Sequence, residues 1–352
     1  MKHALVVGST GVIGGAIARR LARAGDWRVT CATRGGSAPA GAQGLAVDLL
    51  DPASVRSAAA ALAPVTHVFY AAYQHRPTRT EEVAPNLAML RHAIDLGEAQ
   101  PGALQRFVLV TGGKYYGLQW GAIKTPARET DPRHLGPNFY YAQQDHLAER
   151  AAAAGWTWSH LIPPYVTGFS ERAPMNLVMA IGVLATLSRE QGLPLRFPGP
   201  AASWNALHHL ADADQIAAAA AWCATGATAA NEIFNIANGD PGRWRNSWPV
   251  VAGHFDLATG EPMPVPLTQV AAELAPLWRR IAEREDLRQP DLHALVDWQW
   301  ADYMFKTAFS NDVLFELGKI RRAGFGGCLD SEAALLGRFE ELRQQRLIPR
   351  SR

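Results

Sequence analysis

Short apolar runs alternate with amphipathic segments through the first half of the chain. This alternation is typical of an α/β unit in which helices cover both faces of a buried parallel sheet. The pattern predicts six strands, each bounded by turn residues or by a helix: Ala4–Gly8, Arg28–Arg34, Gly44–Leu49, His67–Ala72, Arg106–Thr111 and Trp158–Ile162. Helical periodicity over Val12–Ala24, followed by Gly25, predicts the first helix. We therefore expect a doubly wound parallel sheet.

The alternation stops after Pro163 and Pro164, where the sequence predicts that a second region begins. A helix is expected over Met175–Gln191, and the strand-like run Ile233–Ala237 is expected to return to the edge of the sheet. From Pro262 onward the pattern is largely helical. The predicted division is a nucleotide-binding domain at 1–165 joined by 205–238, and a smaller, mainly helical substrate-binding lobe at 166–204 and 239–352.

Large aromatic residues are frequent in the last part of the chain: Trp278, Trp298, Trp300, Tyr303, Phe305 and Phe309. An aromatic helical lobe above the crevice of the sheet would form an apolar substrate pocket. Alternatively, each of these rings is an ordinary core residue of a small lobe. The sequence leaves both alternatives open.

A glycine-rich turn follows the first strand and opens the first helix, with the sequence Gly8-Ser-Thr-Gly11-Val-Ile-Gly14. Gly8 permits the tight turn, Gly11 lets the backbone approach a pyrophosphate, and Gly14 allows close packing of helix and strand. The free N–H groups at the start of the helix would then bind the anion. The turn predicts a Rossmann-type dinucleotide site that includes Gly8, Thr10, Gly11, Val12, Ile13 and Gly14.

The end of the second strand predicts which dinucleotide binds. An acidic residue there would bind the ribose 2′-OH of NAD, but the chain has Arg34 instead. A guanidinium at this position can bind the 2′-phosphate of NADP. Asp48, after the third strand, is a candidate for accepting a hydrogen bond from the adenine amino group, although an Asp here could equally form a turn. The alternative for Arg34 is a solvated surface residue.

Composition narrows the classes of partner. The formal net charge of the 352 residues is only +2, and the basic residues are scattered, so we expect no nucleic acid or membrane partner. The cysteines Cys31, Cys223 and Cys328 lack the spacing of a metal or disulfide site, and they are expected to be reduced. With no leader or membrane span recognisable in the sequence, the expected location is cytoplasmic.

Two polar pairs near the middle of the chain are further candidates for functional sites. His208 and His209 are adjacent in a predicted loop, where their side chains would point apart, so no metal is expected. Asp212 and Asp214 are expected to cap a helix in a solvated segment.

The catalytic pattern of ordinary short-chain dehydrogenases is missing. Those enzymes carry Tyr-xxx-Lys on one helix, so that the lysine lowers the pKa of the tyrosine. Here Gln144 is four residues after Tyr140, and Asp145 is four residues after Tyr141. A lysine is available elsewhere, because Lys114 follows the fifth strand, at the edge of the sheet where Rossmann sites form.

Two motifs carry a family resemblance: Thr111-Gly-Gly-Lys-Tyr115, and Asn138-Phe-Tyr-Tyr141 followed by Asp145. With these motifs the chain resembles the progesterone 5β-reductase and iridoid synthase-like (PRISE) family of extended short-chain dehydrogenases/reductases. Further segments that look like family sequence occur in order along nearly the whole chain: His67–Tyr70, Gly168–Ser170, Met175–Val178, Leu195–Phe197, Asp212–Asp214 and Phe234–Asp240.

The resemblance implies NADPH-dependent reduction of an activated C=C bond in an apolar enone or enal. Carried over by motif, Lys114 and Tyr140 would be the catalytic pair, and both, with Thr111, would also contact the cofactor. A phenol placed at the carbonyl oxygen would stabilise the enolate formed by hydride attack on the β-carbon. Alternatively, Tyr140 is a packing residue and Lys114 is structural.

Departures from the family pattern leave the substrate open. Ile162-Pro163 replaces the usual Arg-Pro, Gln144-Asp145 replaces an acidic pair, and the loop Ala71–His75, which would line the crevice, differs. The rival functions are a carbonyl reductase or nucleotide-sugar epimerase on the same fold, and a non-catalytic NADP sensor. Either a monomer or a homodimer is compatible with the sequence.

Overall fold

The computed structural model describes residues 1–350 of the chain. Its strands are β1 Lys2–Val7, β2 Trp27–Thr33, β3 Gln43–Ala46, β4 His67–Tyr70, β5 Arg106–Val110, β6 Thr157–Ile162, β7 Tyr165–Thr167, β8 Leu195–Arg196, β9 His208–Asp212, β10 Glu232–Asn235, β11 Pro241–Gly242 and β12 Thr259–Gly260. All six strands predicted in the first half are present, with ends within a few residues of those expected.

The helices are α1 Val12–Ala24, α2 Pro52–Ala61, α3 Arg79–Gly97, α4 Phe139–Ala154, α5 Leu177–Glu190, α6 Ala201–Asn205, α7 Ala213–Thr225, α8 Trp244–His254, α9 Leu267–Arg284, α10 Leu292–Leu295, α11 Trp298–Lys306, α12 Gly318–Arg322 and α13 Ser331–Gln344. Short 3₁₀ helices lie at Gly113–Tyr116, Leu118–Trp120, Ala227–Ala229 and Ala308–Ser310. Among residues 1–350, no helix has the length and apolar character that crossing a membrane requires.

The main sheet has seven parallel strands in the order β10-β6-β5-β4-β1-β2-β3. The chain moves outward from β1 to β3 and then crosses back to β4, so β1 and β4 are neighbours at the point where the order reverses. Ligands of open α/β sheets bind outside the carboxyl ends of the strands at this point. The fold class is therefore the predicted Rossmann-type sheet, and β10 is the strand expected at its edge.

Apolar side chains cover both faces of the sheet. On one face, α1 and α7 pack over residues such as Val6 and Val108. On the other face, α2, α3 and α4 pack over residues such as Leu5 and Phe107. Because β4 and β5 are buried on both faces, their apolar residues are nearly continuous rather than alternating.

A third apolar cluster is formed mostly by residues that come after β6 in the sequence, and large aromatic side chains are frequent in it. Trp278, Trp298, Phe305 and Phe309 are buried in this cluster, so they are core residues. Trp300 and Tyr303 are only partly buried against it. The alternative that the aromatic residues are ordinary core is thus correct for four of the six rings.

The placement of His208 and His209 in a loop is wrong. Both residues lie on β9, in a small sheet with β7 and β11. Burial lowers the pKa of each imidazole to about 4, so both histidines are neutral near pH 7. Residues in the C-terminal part of the chain contact His209. The backbone N–H of His209 donates to the Val313 carbonyl at 3.0 Å, and its Nδ1 lies 3.2 Å from the Phe315 nitrogen.

The predicted cap at Asp212 is present, but its solvated setting is wrong. Asp212 Oδ1 accepts a hydrogen bond from the Asp214 N–H at 2.9 Å, at the start of α7. The Asp212 side chain is buried, and Arg338 of α13 donates to both of its carboxylate oxygens at 2.6 and 2.9 Å. Asp212 therefore also ties the C-terminal helix to the sheet region.

Candidate functional site

The phosphate-binding turn connects β1 to α1 and is shaped by close backbone contacts. Gly8 has φ of +85°, and its carbonyl accepts from the Gly11 N–H at 3.0 Å. A Cβ on Gly14 would lie 2.3 Å from the Gly8 oxygen, and a Cβ on Gly8 would lie 2.8 Å from the carbonyl of Ala71. No side chain caps the N-terminus of α1 at Gly11. Its first N–H groups are therefore available to an anion, as a dinucleotide pyrophosphate requires.

The remaining predicted turn residues, Thr10, Val12 and Ile13, lie at this same end of α1. The Thr10 carbonyl accepts a hydrogen bond at 2.9 Å from Ser170, which also accepts from the backbone N–H groups of Arg172 and Ala173. Ser170 thus connects the turn to the segment that precedes α5.

Arg34 lies directly after β2 and is exposed. Within residues 1–350 its guanidinium makes no hydrogen bond or ion pair with another side chain, and the chain turns after it, with the Gly36 N–H donating to the Thr33 carbonyl at 3.2 Å. Asp48 is also exposed, but its Oδ1 accepts from the Leu50 N–H at 2.9 Å. One oxygen of Asp48 therefore has the turn-forming role that was the alternative to adenine binding.

Thr111 directly follows β5 and begins the loop that carries Lys114. Its hydroxyl is 2.7 Å from Nε2 of His160, and both side chains are buried. Burial lowers the pKa of His160 to about 3, which keeps the ring neutral. This pair fixes the start of the loop that carries Lys114.

The Lys114 side chain points to the loop after β4. Its Nζ donates to the Tyr73 hydroxyl at 3.0 Å and lies 3.9 Å from a Glu82 carboxylate oxygen. Burial lowers the pKa of Lys114 to about 8, although the charge of Glu82 opposes this shift. Lys114 is therefore a partly buried ammonium that can lose its proton at moderately alkaline pH.

Tyr140 lies in the first turn of α4, at the carboxyl edge of the sheet. A Cβ on Gly112 would be 3.5 Å from the Tyr140 hydroxyl, so the glycine leaves room beside the phenol. Burial, and secondarily the charge of Glu82, raises the pKa of Tyr140. Within residues 1–350 the Tyr140 hydroxyl has no hydrogen-bond partner. It is thus protonated and can donate to a ligand.

The adjacent tyrosine has a structural contact instead. The Tyr141 hydroxyl donates to the Tyr115 carbonyl at 2.6 Å and accepts from the His134 N–H at 3.2 Å. Asn138 adds a second link between the two motifs. Its side chain caps α4 by accepting from the Tyr140 N–H at 3.0 Å and donates to the Lys114 carbonyl at 2.8 Å.

The structure brings Thr111, Lys114 and Tyr140 to one edge of the sheet, together with the phosphate turn after β1. Three contributors, Tyr73, Glu82 and Asn138, were not singled out from the sequence as site residues. Asn138 was visible inside a motif, and Tyr73 lay in the loop expected to line the crevice. Glu82 carried no signal, because a buried acid at a helix start is not distinguishable from an exposed one. No grouping of His, Cys, Asp and Glu suited to a metal occurs within residues 1–350.

The seven-stranded parallel sheet and the phosphate turn after its first strand define an extended short-chain dehydrogenase/reductase. The model of the PRISE-like Rossmann-fold domain matches residues 47–349. The chain belongs to this PRISE family, as its motifs suggested.

Relatives extend over nearly the whole chain. An (S)-8-oxocitronellyl enol synthase of Nepeta cataria is 31% identical over 99% of this chain and 92% of its own length. A homologous enzyme of the same name from Camptotheca acuminata is 29% identical, covering 98% and 93%. A short chain dehydrogenase of Penicillium aethiopicum is 29% identical, covering 81% and 80%. The chain therefore has oxidoreductase-type relatives in plants and a fungus.

Solved structures share the fold at low identity. The Bordetella bronchiseptica enzyme WbmH, solved in complex with NAD⁺, superimposes with a TM-score of 0.66 at 14% identity, covering 98% of this chain and 99% of its own. UDP-glucose 4-epimerase of Thermotoga maritima gives 0.66 at 16% identity, covering 97% and 99%. At this level of identity, the likeness supports the fold alone.

Proposed function

We propose that the protein reduces the activated C=C bond of an apolar enone or enal with NADPH. The observation that carries the proposal is the Tyr140 phenol, which is protonated, has no hydrogen-bond partner among residues 1–350 and is located beside Gly112 at the carboxyl edge of the sheet. The naming of full-length relatives as 8-oxocitronellyl enol synthases supports it, because an enol is the species that such a phenol would stabilise.

The cofactor fits the phosphate turn. The turn has no room for a Cβ at Gly14 and presents the uncapped N-terminus of α1, a cradle suited to a pyrophosphate. Arg34 is exposed and unpaired among the described residues, and no acid stands beside it, which favours a 2′-phosphate over a free 2′-OH. When bound, NADPH would supply the hydride for the β-carbon of the substrate.

The protein's part in the reaction is to stabilise the negative charge that develops on the carbonyl oxygen. Tyr140 would donate its O–H to that oxygen, and Lys114 would add positive charge at the same edge of the sheet. A donor of this kind contributes about 3 kcal/mol, or roughly two powers of ten in rate. The resulting enolate or enol takes a proton at the α-carbon, from a donor in the site or from water, to give the saturated carbonyl.

We also propose that the lobe built from residues 166–204 and 239–352 supplies the apolar wall of the substrate pocket. Tyr303 of α11 is the ring that supports this, because it is only partly buried and the charge of Arg79, at the start of α3, acts on its hydroxyl. Burial raises the pKa of Tyr303, and the Arg79 charge opposes the shift. An apolar carbon skeleton beside this ring would suit an enone better than a nucleotide sugar.

The test combines NADPH with a panel of enones, including progesterone and 8-oxogeranial, and identifies the products by mass spectrometry. Saturation of the C=C bond is the expected outcome, whereas an allylic alcohol would indicate a carbonyl reductase. NADPH binding without consumption over the panel would indicate a sensor.

Tyr140→Phe tests the role of the phenol. We expect kcat to fall by about 100-fold while NADPH still binds. Tyr141→Phe is the matched control on the neighbouring residue, and it should lower stability by about 1 kcal/mol through its lost hydrogen bond with a much smaller effect on turnover. Undiminished turnover by Tyr140→Phe would contradict the assignment.

A further inference from the structure

A buried carboxylate lies close to Lys114, in a group that we call the Glu82 cluster: Tyr73, Arg79, Glu82 and Lys114. Glu82 is in the first turn of α3, and it is fully buried. Its Oε1 accepts hydrogen bonds from the Tyr73 hydroxyl and from Arg79 at 2.7 Å. A buried charge is costly unless it is paired, so this carboxylate requires its neighbours.

The Tyr73 phenol is held firmly at this carboxylate. Its ring stacks on Phe139 of α4, with centroids 5.6 Å apart and 15° between the planes. The next residue, Gln74, is clamped by Asn86 of α3, which accepts from the Gln74 N–H and donates to the Gln74 carbonyl, both at 2.8 Å. The loop after β4 therefore has little freedom to move the phenol.

The hydrogen bonds in the cluster have a direction. A phenol has one proton, and the Tyr73 proton is donated to Glu82. The Tyr73 oxygen therefore presents lone pairs to Lys114, whose Nζ donates to it at 3.0 Å and also lies 4.6 Å from the centre of the ring. The ammonium thus meets an acceptor and the face of an aromatic ring, and both contacts favour its charged form.

Glu82 is also shared by two cations. Arg79 and Lys114 both approach its Oε1, at 2.7 and 3.9 Å, so its negative charge offsets the repulsion between their positive charges. The ionisable groups around Lys114 are Tyr73 and His75 from the loop after β4, Arg79 and Glu82 from α3, Tyr140 from α4, and His134 from the segment before α4. Glu82 is the sole carboxylate of this group.

We propose that Glu82 and Tyr73 are positioning residues that hold Lys114 charged and in place, so that the cationic partner of Tyr140 is a unit of three residues rather than a lysine alone. The role of the two residues in catalysis rests on the proposed function. The contacts among Glu82, Tyr73 and Lys114 are present without a substrate.

The first experiment titrates Lys114 without any substrate. The folded protein is labelled with acetic anhydride over a range of pH, and the extent of labelling of Lys114 is read by mass spectrometry, with Lys2, Lys124, Lys306 and Lys319 as internal references. We expect a midpoint near the lowered pKa of about 8. In Glu82→Gln the midpoint should fall by about one unit, because an opposite charge at this distance is lost.

The matched control is Glu81→Gln, which removes an exposed carboxylate one residue earlier on the same helix turn. It should leave the Lys114 midpoint unchanged. If Glu82→Gln does not fold, Tyr73→Phe carries the test, since it keeps the stacked ring and removes only the hydroxyl. It should also lower the midpoint, because the ammonium loses its acceptor. An unchanged midpoint in the folded variant would overturn the proposal.

The second experiment measures kcat/KM against pH for the same variants. We expect about a tenfold loss at the optimum for Tyr73→Phe, with its alkaline limb displaced to lower pH, and little change in the KM for NADPH. Residues that act as one unit are non-additive, so Tyr73→Phe/Glu82→Gln should lose no more than the worse single variant. If the losses of kcat/KM are additive and the alkaline limb of the pH profile does not move, Tyr73 and Glu82 have merely structural roles.

The two proposals fail in different ways. If Tyr140→Phe and Lys114→Met stop the reduction while Glu82→Gln leaves both the labelling midpoint and the pH limb in place, the positioning role is wrong and the proposed function stands. If no enone is reduced by the wild-type protein, the labelling result still decides whether Glu82 and Tyr73 control the charge on Lys114.

Discussion

The phosphate turn and the Glu82 cluster lie at the same end of the sheet but are built in different ways. The turn is made of backbone, and its fit depends on Gly8 and Gly14 lacking a Cβ. The cluster is made of side chains from the loop after β4, α3 and the 3₁₀ helix that carries Lys114, and its state depends on charge. Function of the turn should therefore be sensitive to added side-chain volume and insensitive to pH. Function of the cluster should be sensitive to pH and less sensitive to side-chain volume.

The largest effect is expected from one methyl group in the turn. Gly14→Ala would place its Cβ 2.3 Å from the Gly8 carbonyl oxygen, a backbone atom that cannot move without opening the turn. We expect a loss of about 3 kcal/mol in the free energy of unfolding and no NADPH binding at micromolar concentrations. Urea denaturation and a fluorescence titration with NADPH measure the two effects.

The control for that variant is Gly337→Ala, an exposed glycine of α13 where a Cβ meets open space. It should raise stability by about 0.5 to 1 kcal/mol through helix propensity. Wild-type affinity for NADPH in Gly14→Ala would show that volume does not control the turn.

Arg34→Ala extends the comparison to the charged side chain that is assigned to the 2′-phosphate of the cofactor. A charged hydrogen bond contributes about 1.5 to 3 kcal/mol, so the Kd for NADPH should rise about 10- to 100-fold while the Kd for NADH changes little. Arg20→Ala removes the same charge from an exposed position on α1 and should affect neither. Equal weakening of both dinucleotides would show that Arg34 does not read the 2′-phosphate.

Next in size is a pH effect confined to the cluster. Lys114 has its pKa lowered to about 8, and the ammonium is the form required, so kcat/KM should fall about tenfold per pH unit above pH 8. NADPH binding should change much less over that range, because the backbone N–H groups that would hold the pyrophosphate do not titrate. If NADPH binding and turnover declined together as the pH rises, the turn and the cluster would not differ in their sensitivity to pH.

Asp48→Ala should have the smallest effect. Asp48 has one oxygen engaged with the Leu50 N–H, so a hydrogen bond to adenine through the other would be an ordinary one. We expect the Kd for NADPH to rise by roughly 3- to 10-fold. Asp51→Ala, which removes the cap of α2, should lower stability but not affinity. Unchanged affinity in Asp48→Ala would leave this residue with its turn role alone.

The predicted elements agree with the structure where local pattern decides the outcome. The helix Val12–Ala24 has the predicted bounds, because a glycine turn and a left-handed Gly25 fix its ends. The first six strands were recognisable from short apolar runs between turn residues. The phosphate turn was likewise visible, since its three glycines lie within seven residues of the sequence and need no distant partner.

Long-range partners account for what the sequence did not show. Glu82 is buried because Tyr73, Arg79 and Lys114 converge on it, and Lys114 is 32 residues away in the sequence. His208 and His209 look like loop residues, yet they are buried in a strand whose partners include the chain near Val313. A neutral histidine is a suitable core residue where distant groups contact it, as the Phe315 N–H contacts Nδ1 of His209, and the periodicity of the sequence does not reveal such distant groups.

The covering of α1 by α7 has a consequence during synthesis. The two helices pack together on one face of the sheet, but roughly 190 residues separate the end of α1 from the start of α7. At translation rates of about 5 to 20 residues per second, Ile17 and Leu21 would leave the ribosome about 10 to 40 s before their covering helix exists. The nascent N-terminal half therefore exposes the apolar surface that α7 later covers. Chaperone binding should be strongest on ribosome-bound chains that end before Ala213.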